Sequence, residues 1–418
     1  MGLKPGYKQS EVGEIPDDWE VGNLFRFWNV TDCKHVTAEF VSNGFPVASI
    51  KEVQSRFVDL TNAKQTTTHF YDLLIEGGRK PGSGDLMLSR NATVGEIAQV
   101  ADWHPRFAMG QDVCLLRKKS PEYSTEFLQA VFQSPVIGKQ LSNLKVGSTF
   151  KRVNVAQIRN FSVPMPSPRE QRAIAEALSD VDALIGTLDR LIAKKRDLKQ
   201  AAMQQLLTGQ KRLPGFSGEW ETGHLRSFVQ NHNAGVYKNI KSYGKGCNII
   251  GVSDLYGIDC VDGQSFAQVP VSPVEQAKYT LKTNDLVYGE SSLVREGIAR
   301  TVYVTERGAG TAFAWHTRRY SVDQNVLLSS YLYYYLQSRF ARKHMMDQSI
   351  QTAITGINTA AYFGCPVFIP PLAEQTAIAE VLSDMDAEIA ALERRHDKTR
   401  VLKQGMMQEL LTGRTRLV

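Results

Sequence analysis

A chain of 418 residues with 42% apolar and 22% charged side chains has material for two or three domains, each with a core of its own. No run approaches the 18 or so apolar residues of a membrane span, and the N-terminus MGLKPGYKQSEVGEIPDDWE lacks the apolar centre of a signal peptide. Net charge is +6, but residues 1–160 carry 19 basic and 17 acidic side chains and residues 214–366 carry 14 and 12, so a polyanionic partner is permitted and any basic surface has to come from clustering.

The first distinctive run is Trp19-Glu20-Val21-Gly22-Asn23-Leu24. Short β-rich runs follow at 45–53 (FPVASIKEV) and 84–100 (GDLMLSRNATVGEIAQV), the latter reading as two apolar strands around a polar, Gly-containing turn. Phe127-Leu128 with Gln133-Ser134 suggests a short amphipathic helix, and GSTFKRVNVAQIRNFSVPMP (147–166) leads through a strand to a proline. From Pro166 to Leu213 the pattern is that of one long helix, with Pro166 ahead of it as a breaker and Leu207-Thr208-Gly209 as a glycine stop. Its apolar residues Ile174, Leu178, Val181, Ile185, Leu188 and Ile192 alternate spacings of three and four. The same frame then meets Lys195 and Lys199 before Ala202 and Leu206 restore it.

The series then starts again. Trp220-Glu221-Thr222-Gly223-His224-Leu225 repeats the opening, NIIGVSDL (248–255) and NDLVYGESSLVREGIARTVYV (284–304) repeat the strands, and Tyr331-Leu332 with Gln337-Ser338 repeats the short helix. IQTAITGINTAAYFGCPVFIP (350–370) parallels 147–166, with Asn358 matching Asn154. From Pro370 to Leu417 the long helix recurs at a constant offset of 204, with 28 of 48 positions identical, a true internal repeat. Its frame holds Ile378, Leu382, Met385, Ile389 and Leu392, then His396, Thr399 and Lys403, then Met406 and Leu410. This spacing is the seam of a coiled coil, in which polar residues set register at some cost in stability. Two matched copies favour a paired coiled coil over an ordinary amphipathic helix. The globular copies have diverged strongly and the helices have not, so the helices do one job and the globular units do related but different ones.

The expected fold is α+β: two β-rich domains of mixed α/β structure, at 1–165 and 214–369, separated by long helices at 166–213 and 370–418 that pair as an antiparallel coiled coil. A tandem repeat closed in that way has an approximate twofold axis, a geometry suited to reading a duplex at two sites. The five cysteines (Cys33, Cys114, Cys247, Cys260, Cys365) are scattered and never at C-x-x-C spacing, which points to reduced thiols in a cytoplasmic chain with no metal site.

This layout resembles the specificity subunit of Type I restriction-modification systems over essentially the whole chain. The most specific parts are PREQRAIAEALSDVDALI with AEQTAIAEVLSDMDAEI, LKQAAMQQLLTG with LKQGMMQELLTG, and the W-E-x-G-x-L openings. The resemblance implies two target-recognition domains, each reading one half of a bipartite double-stranded DNA sequence. It implies that the helices serve as a molecular ruler and as the docking site of two modification (methyltransferase) subunits, with a restriction subunit joining the complete complex. S-adenosylmethionine would belong to the methyltransferase partners, and ATP and magnesium to the restriction subunit.

DNA contact calls for cationic and hydroxyl donors to phosphates, and for amide, guanidinium or carboxylate groups at base edges. In the first domain the candidates are Ser89, Arg90, Asn91 and Thr93 in the polar turn, and Lys145, Ser148, Thr149, Lys151 and Arg152 ahead of the helix. In the second they are Glu290, Ser291, Ser292 and Arg295 in the comparable turn, His316, Arg318 and Arg319 in the basic-aromatic run from Trp315, and Gln351, Thr352 and Thr355. Such loop residues are also commonly just solvated. Glu290 either accepts from a cytosine amino group or is structural. For partner docking the candidates are Leu198, Met203 and Leu207, matched by Leu402, Met407 and Leu411. They lie outside the seam and are buried either by a partner or by the chain's own globular domain. There is no N/D-P-P-Y/F motif and no G-x-x-x-x-G-K-S/T phosphate loop, and no nucleophile is paired with a base. The expectation is therefore a non-catalytic addressing subunit rather than a self-sufficient methyltransferase or nuclease. A coiled-coil scaffold that never touches DNA also fits the near-balanced charge.

Overall fold

The computed structural model describes residues 4–144 and 152–417, which fall into two compact units, 1–189 with 394–418 and 190–393. The two long helices, Pro168–Leu206 and Leu372–Leu410, each contribute to both units.

In unit 1 the central sheet is antiparallel, with strands in the order Trp28–Asp32, Val113–Lys118, Leu86–Ser89, Ile97–Gln99. All four residues of Leu86–Ser89 are buried because the sheet is covered on both faces. Leu86, Leu88 and Leu116 join a core with Phe127, Ile137 and the helix residues Ile174 and Leu178. Met87, Val113 and Leu115 join a second core with Val53, Phe107 and Met109. A smaller sheet, Ala108–Met109, Phe45–Ala48, Lys64–Thr66, Phe40–Val41, lies beyond. Unit 2 has the same central order, Val229–Ala234, Thr317–Val322, Leu286–Gly289, Thr301–Val304, extended by Cys260–Val261. There too Leu286 and Tyr288 serve one core and Val287 the other.

The opening motifs close each unit. Glu20–Asn23 pairs with Ser162–Met165, and Glu221–His224 with Pro366–Ile369, the strands just ahead of the long helices. The glycine of W-E-x-G-x-L leaves room for a ring: a Cβ at Gly223 would stand 2.9 Å from Phe228. The leucine is fully buried in both copies. Asn154 and Asn358 prove to be N-caps, accepting from the backbone N–H of Gln157 and Ala361 at 2.8 Å.

The tryptophan has a polar task. In unit 1, Trp19 Nε1 donates to the wholly buried carboxylate of Glu170 at 3.0 Å, and Arg416 donates to both oxygens of Glu170 (2.6 and 2.9 Å) and to Asp18. In unit 2, Trp220 donates to Glu374 at 3.1 Å, and Arg212 donates to both its oxygens at 2.5 Å. The neighbouring glutamines are buried as well. Gln171 bonds the backbone of Ser124 and Pro166, and Gln375 that of Leu328, Val326 and Pro370. Each clasp thus joins the start of one long helix, the end of the other, and the opening tryptophan. Gly413, at φ +68°, faces Pro16 and Trp19, and a Cβ there would come within 2.5 Å of the proline.

Within each unit the helices run antiparallel. In unit 1 Asp182 meets Lys403 at 2.6 Å and Asp189 meets His396 at 3.2 Å. In unit 2 Lys195 meets Glu388 at 2.6 Å and Lys199 meets Asp386. The polar seam residues are therefore mostly paired, and Asp182–Lys403 and Asp386–Lys199 are the same pair displaced by 204.

The docking face requires a correction. Met203 and Leu207 are buried in the core of unit 2, and Met407 and Leu411 in that of unit 1. Four of the six candidates are thus consumed by the chain's own globular units, and Leu198 (47% exposed) and Leu402 (58%) stay exposed. Leu207→Asp would put an unpaired charge in a closed core and should abolish the cooperative unfolding of unit 2. Glu374→Ala removes the shared acceptor of Arg212 and Trp220. The loss should appear as a lower midpoint of denaturant unfolding, and an unchanged midpoint would show the clasp to be incidental. The Arg416 hydrogen bond also holds the Asp18 carboxyl below its ordinary value. Its contribution is present above the unfolded carboxylate pKa and fades as pH falls through the folded one.

Candidate nucleic-acid interface

The start of the long helix and the polar turns lie at opposite ends of the central sheet. In unit 1 the pairs Leu116↔Leu86 and Lys118↔Trp28 mark one end. There Thr125 bonds the carbonyl of Gly84, and Ser124 bonds Gln171 of the helix. The pairs Val113↔Ser89 and Cys114↔Asp32 mark the other, from which the polar turn 90–95 departs.

At that free end the separate polar clusters of each domain come together. Arg90 N–H donates to the carbonyl of Asp112 at 2.8 Å, Val153 N–H donates to that of Arg90 at 2.9 Å, and Asn91 bridges Arg152. The Arg152 guanidinium meets Asp112 at 3.0 Å. Unit 2 repeats this frame: Glu290 N–H donates to His316 at 2.9 Å, Ile357 N–H to Glu290 at 3.0 Å, and Ser291–Ser292 pairs with Thr355–Gly356. Asp112 and His316, 204 residues apart, both take left-handed backbone, with φ +63° and +67°, uncommon for residues other than glycine.

Several candidates are not surface groups. Arg90 is only 3% exposed, ion-paired to Asp32 at 2.6 Å and close to Cys33, so it does not reach a phosphate. Asp32 and Cys33 stand with His35 in a potential metal-ligand cluster, but Arg90 already supplies the cation there. Ser89, Ser292 and Thr355 are buried. Arg319 lies against the buried Asp285 at 3.5 Å, whose carboxyl is pushed up by burial. Glu290 accepts from Arg318, so of its two readings the structural one applies, and Arg318 is held by the same pair. Lys145, Ser148, Thr149 and Lys151 lie outside the described residues. Asn91, Thr93, Arg152, Ser291, Arg295, His316, Gln351 and Thr352 remain at or near the surface of the free ends.

The structure adds residues that sequence reasoning missed. The loop after Val229–Ala234 runs GVYKNIKSYGKG (235–246), with Tyr237, Ile240 and Tyr243 exposed. Tyr237 meets Trp315 edge to face, centroids 5.2 Å apart. Lys238 is tied to Glu275 at 2.8 Å, whereas Lys241 and Lys245 have no ion pair among the described residues. The signal was available: twelve residues without an acid, with lysines and tyrosines interleaved between glycines. In unit 1 the corresponding region is a cleft of about 520 Å³ lined by Val36, Phe40, Lys51, Asn62, Lys64 and Gln111.

A polar free end built on the same sheet frame in each unit, with a cationic, aromatic loop added in unit 2, is a construction suited to contacting nucleic acid. The sequence comparisons agree. The Type I restriction modification DNA specificity domain matches residues 8–194 and again 217–401, and the chain belongs to that family. It is 25% identical to the MjaX specificity subunit of Methanocaldococcus jannaschii, over 98% of this chain and 97% of the relative. It is 20% identical to the MjaVIII specificity subunit of the same organism, over 98% and 96%. Among solved structures, a chain from work on assembly and conformational transition of the type I R-M system aligns with a TM-score of 0.61 at 17% identity, over 96% of this chain and 99% of that one. The S subunit from M. genitalium aligns with 0.57 at 13%, over 98% of each. This protein is a specificity subunit of a Type I restriction-modification system, and its activity is DNA sequence recognition. No helix among the described residues is long and apolar enough to cross a membrane.

Replacing Lys241 and Lys245 by alanine should weaken DNA binding of the assembled complex equally for all sequences. The salt dependence should flatten by about one unit of slope for each phosphate that is no longer neutralised, with the methylated sequence unchanged. A changed sequence would make these lysines base readers.

Proposed function

We propose that the chain addresses two methyltransferase subunits to the two halves of a bipartite target, joins a restriction subunit in the complete complex, and performs no chemistry itself. The observation that carries this reading is the contrast within one chain. The clasps repeat the same tryptophan, glutamate and arginine and one seam ion pair recurs at the offset of 204, while the free sheet ends share a backbone frame and differ in nearly every exposed side chain. S-adenosylmethionine would be held by the modification partners, which must flip their target adenine out of the duplex, and ATP and magnesium by the restriction partner. Leu198 and Leu402, exposed at equivalent places on the two helices, are the docking residues this reading retains.

Exchanging residues 20–160 for those of a relative should change one half of the methylated sequence and leave the other intact. A change in both halves would overturn independent reading. Leu198→Asp with Leu402→Asp should lower co-purification with the modification subunit at least tenfold while thermal unfolding of the chain stays unchanged. Retained stoichiometry would place docking elsewhere. The isolated chain should bind no S-adenosylmethionine in equilibrium dialysis.

A further inference from the structure

The free end of unit 2 carries a group of aliphatic side chains in water. Leu293 is 86% exposed, Ile350 66%, Val294 57% and Ile354 50%. They sit on or beside one small sheet, Ser291–Ser292, Thr355–Gly356, Ile350–Gln351. This edge is well anchored. Val294 N–H donates to Ser292 Oγ at 3.2 Å, the Thr352 hydroxyl donates to the carbonyl of Ile354 at 3.1 Å, and the Arg295 guanidinium donates to that of Met346. Behind it, Tyr362 stacks on Tyr288 with centroids 3.6 Å apart. The aliphatics are thus presented by a fixed ribbon, where burial inside the unit would have been the favourable outcome. In unit 1 the bridge beside the polar turn is made by Asn91 and Arg152.

The surroundings select the occupant. Residues 235–246 and 314–319 contain no acidic side chain, and Lys241 and Lys245, on the loop that leaves the same end of the sheet, have no ion pair among the described residues. These ammonium groups complement a phosphate backbone. A two-stranded ribbon is a shape the major groove of B-DNA admits, and the apolar feature of that groove is the C5-methyl group of thymine, which a G·C pair lacks.

We propose that the ribbon Ile350–Gly356, together with Leu293, recognises an A·T pair in the half-site addressed by unit 2 through contact of Leu293 and Ile354 with the thymine methyl group. The inference rests on the DNA-reading function above and adds the base pair and groove to it.

The test uses the complex of the full chain with its modification subunit. Mapping methylated adenines gives the target, and exchange of residues 214–369 for a relative's identifies the half read by unit 2. Each thymine of that half is then replaced singly by deoxyuridine, which removes only the methyl group. Binding should weaken about fourfold at one position or more, the worth of one buried methyl. Leu293→Ala with Ile354→Ala should abolish the discrimination between thymine and deoxyuridine there and leave the other half unaffected. Both side chains are exposed, so thermal unfolding of this variant should match that of the parent chain. Sequence-specific binding that ignores every deoxyuridine in that half overturns the inference, and so does a wedge into the minor groove, which would be blind to the methyl group. Loss of the modification subunit from the variant complex overturns it in favour of a protein-docking patch. An exchange that alters neither half would instead remove the reading function itself, a distinguishable result.

Discussion

A buried carboxylate accepting three hydrogen bonds, one from a tryptophan and two from an arginine, holds each unit of this protein together. Glu170 and Glu374 are completely removed from solvent, which for a lone charge costs several kcal/mol. Here the indole N–H and the arginine fork saturate both oxygens, and the arginine also lies over the indole face, 5.9 Å from Trp19 and 5.3 Å from Trp220. Such a site contributes little net stability over an apolar one, but it tolerates almost no error in register. The arginine comes from the segment just beyond the end of one helix, the glutamate from the first turn of the other, and the tryptophan from the domain opening. A one-residue slip between the helices would strand a buried charge. This is a physical reason for the two copies to agree at Trp, Glu-Gln and Arg while the sequence between them drifts.

The ion pairs along the helices act in the same sense. Lys199 and Lys403 occupy seam positions where leucine would stabilise more, and each meets an aspartate of the antiparallel neighbour within its unit. Partly exposed pairs of this kind contribute little energy. Their worth lies in excluding alternative registers, and the clasps fix the ends to which that register refers.

The period of the helices and the order of strands and helices were legible in the sequence because both follow from local patterning. What was not legible depended on partners distant along the chain. A polar turn containing Arg90 reads as a surface, yet Asp32, 58 residues earlier, draws the guanidinium inside. Periodicity distinguishes an apolar face from a polar one but says nothing of what covers it, so Met203 and Leu207 looked available to a partner when a globular unit had already claimed them. Asn154 and Asn358 were visible as a repeated pair, but their capping role needed the helix that follows each of them. The lysine and tyrosine loop at 235–246 was missed because it has no counterpart in the first repeat, and a reading organised by internal repetition passes over what is not repeated.

The two free ends diverge in side chains on a constant frame. At the exit of the third strand the first unit places Arg90 against Asp32, and the second places Glu290 against Arg318. The charge at the equivalent turn position is reversed, and the partner has moved from the outer strand to the middle one. In both units the backbone of that residue still donates to the left-handed residue beside it and accepts from the strand leading to the helix. The backbone contacts therefore specify the frame, and the side chains there need only be mutually neutralised. Beyond this layer the exposed residues contact little, so they can be exchanged at small cost in stability. A protein whose register is enforced by buried charges at one end of each sheet is free to vary the chemistry it offers at the other.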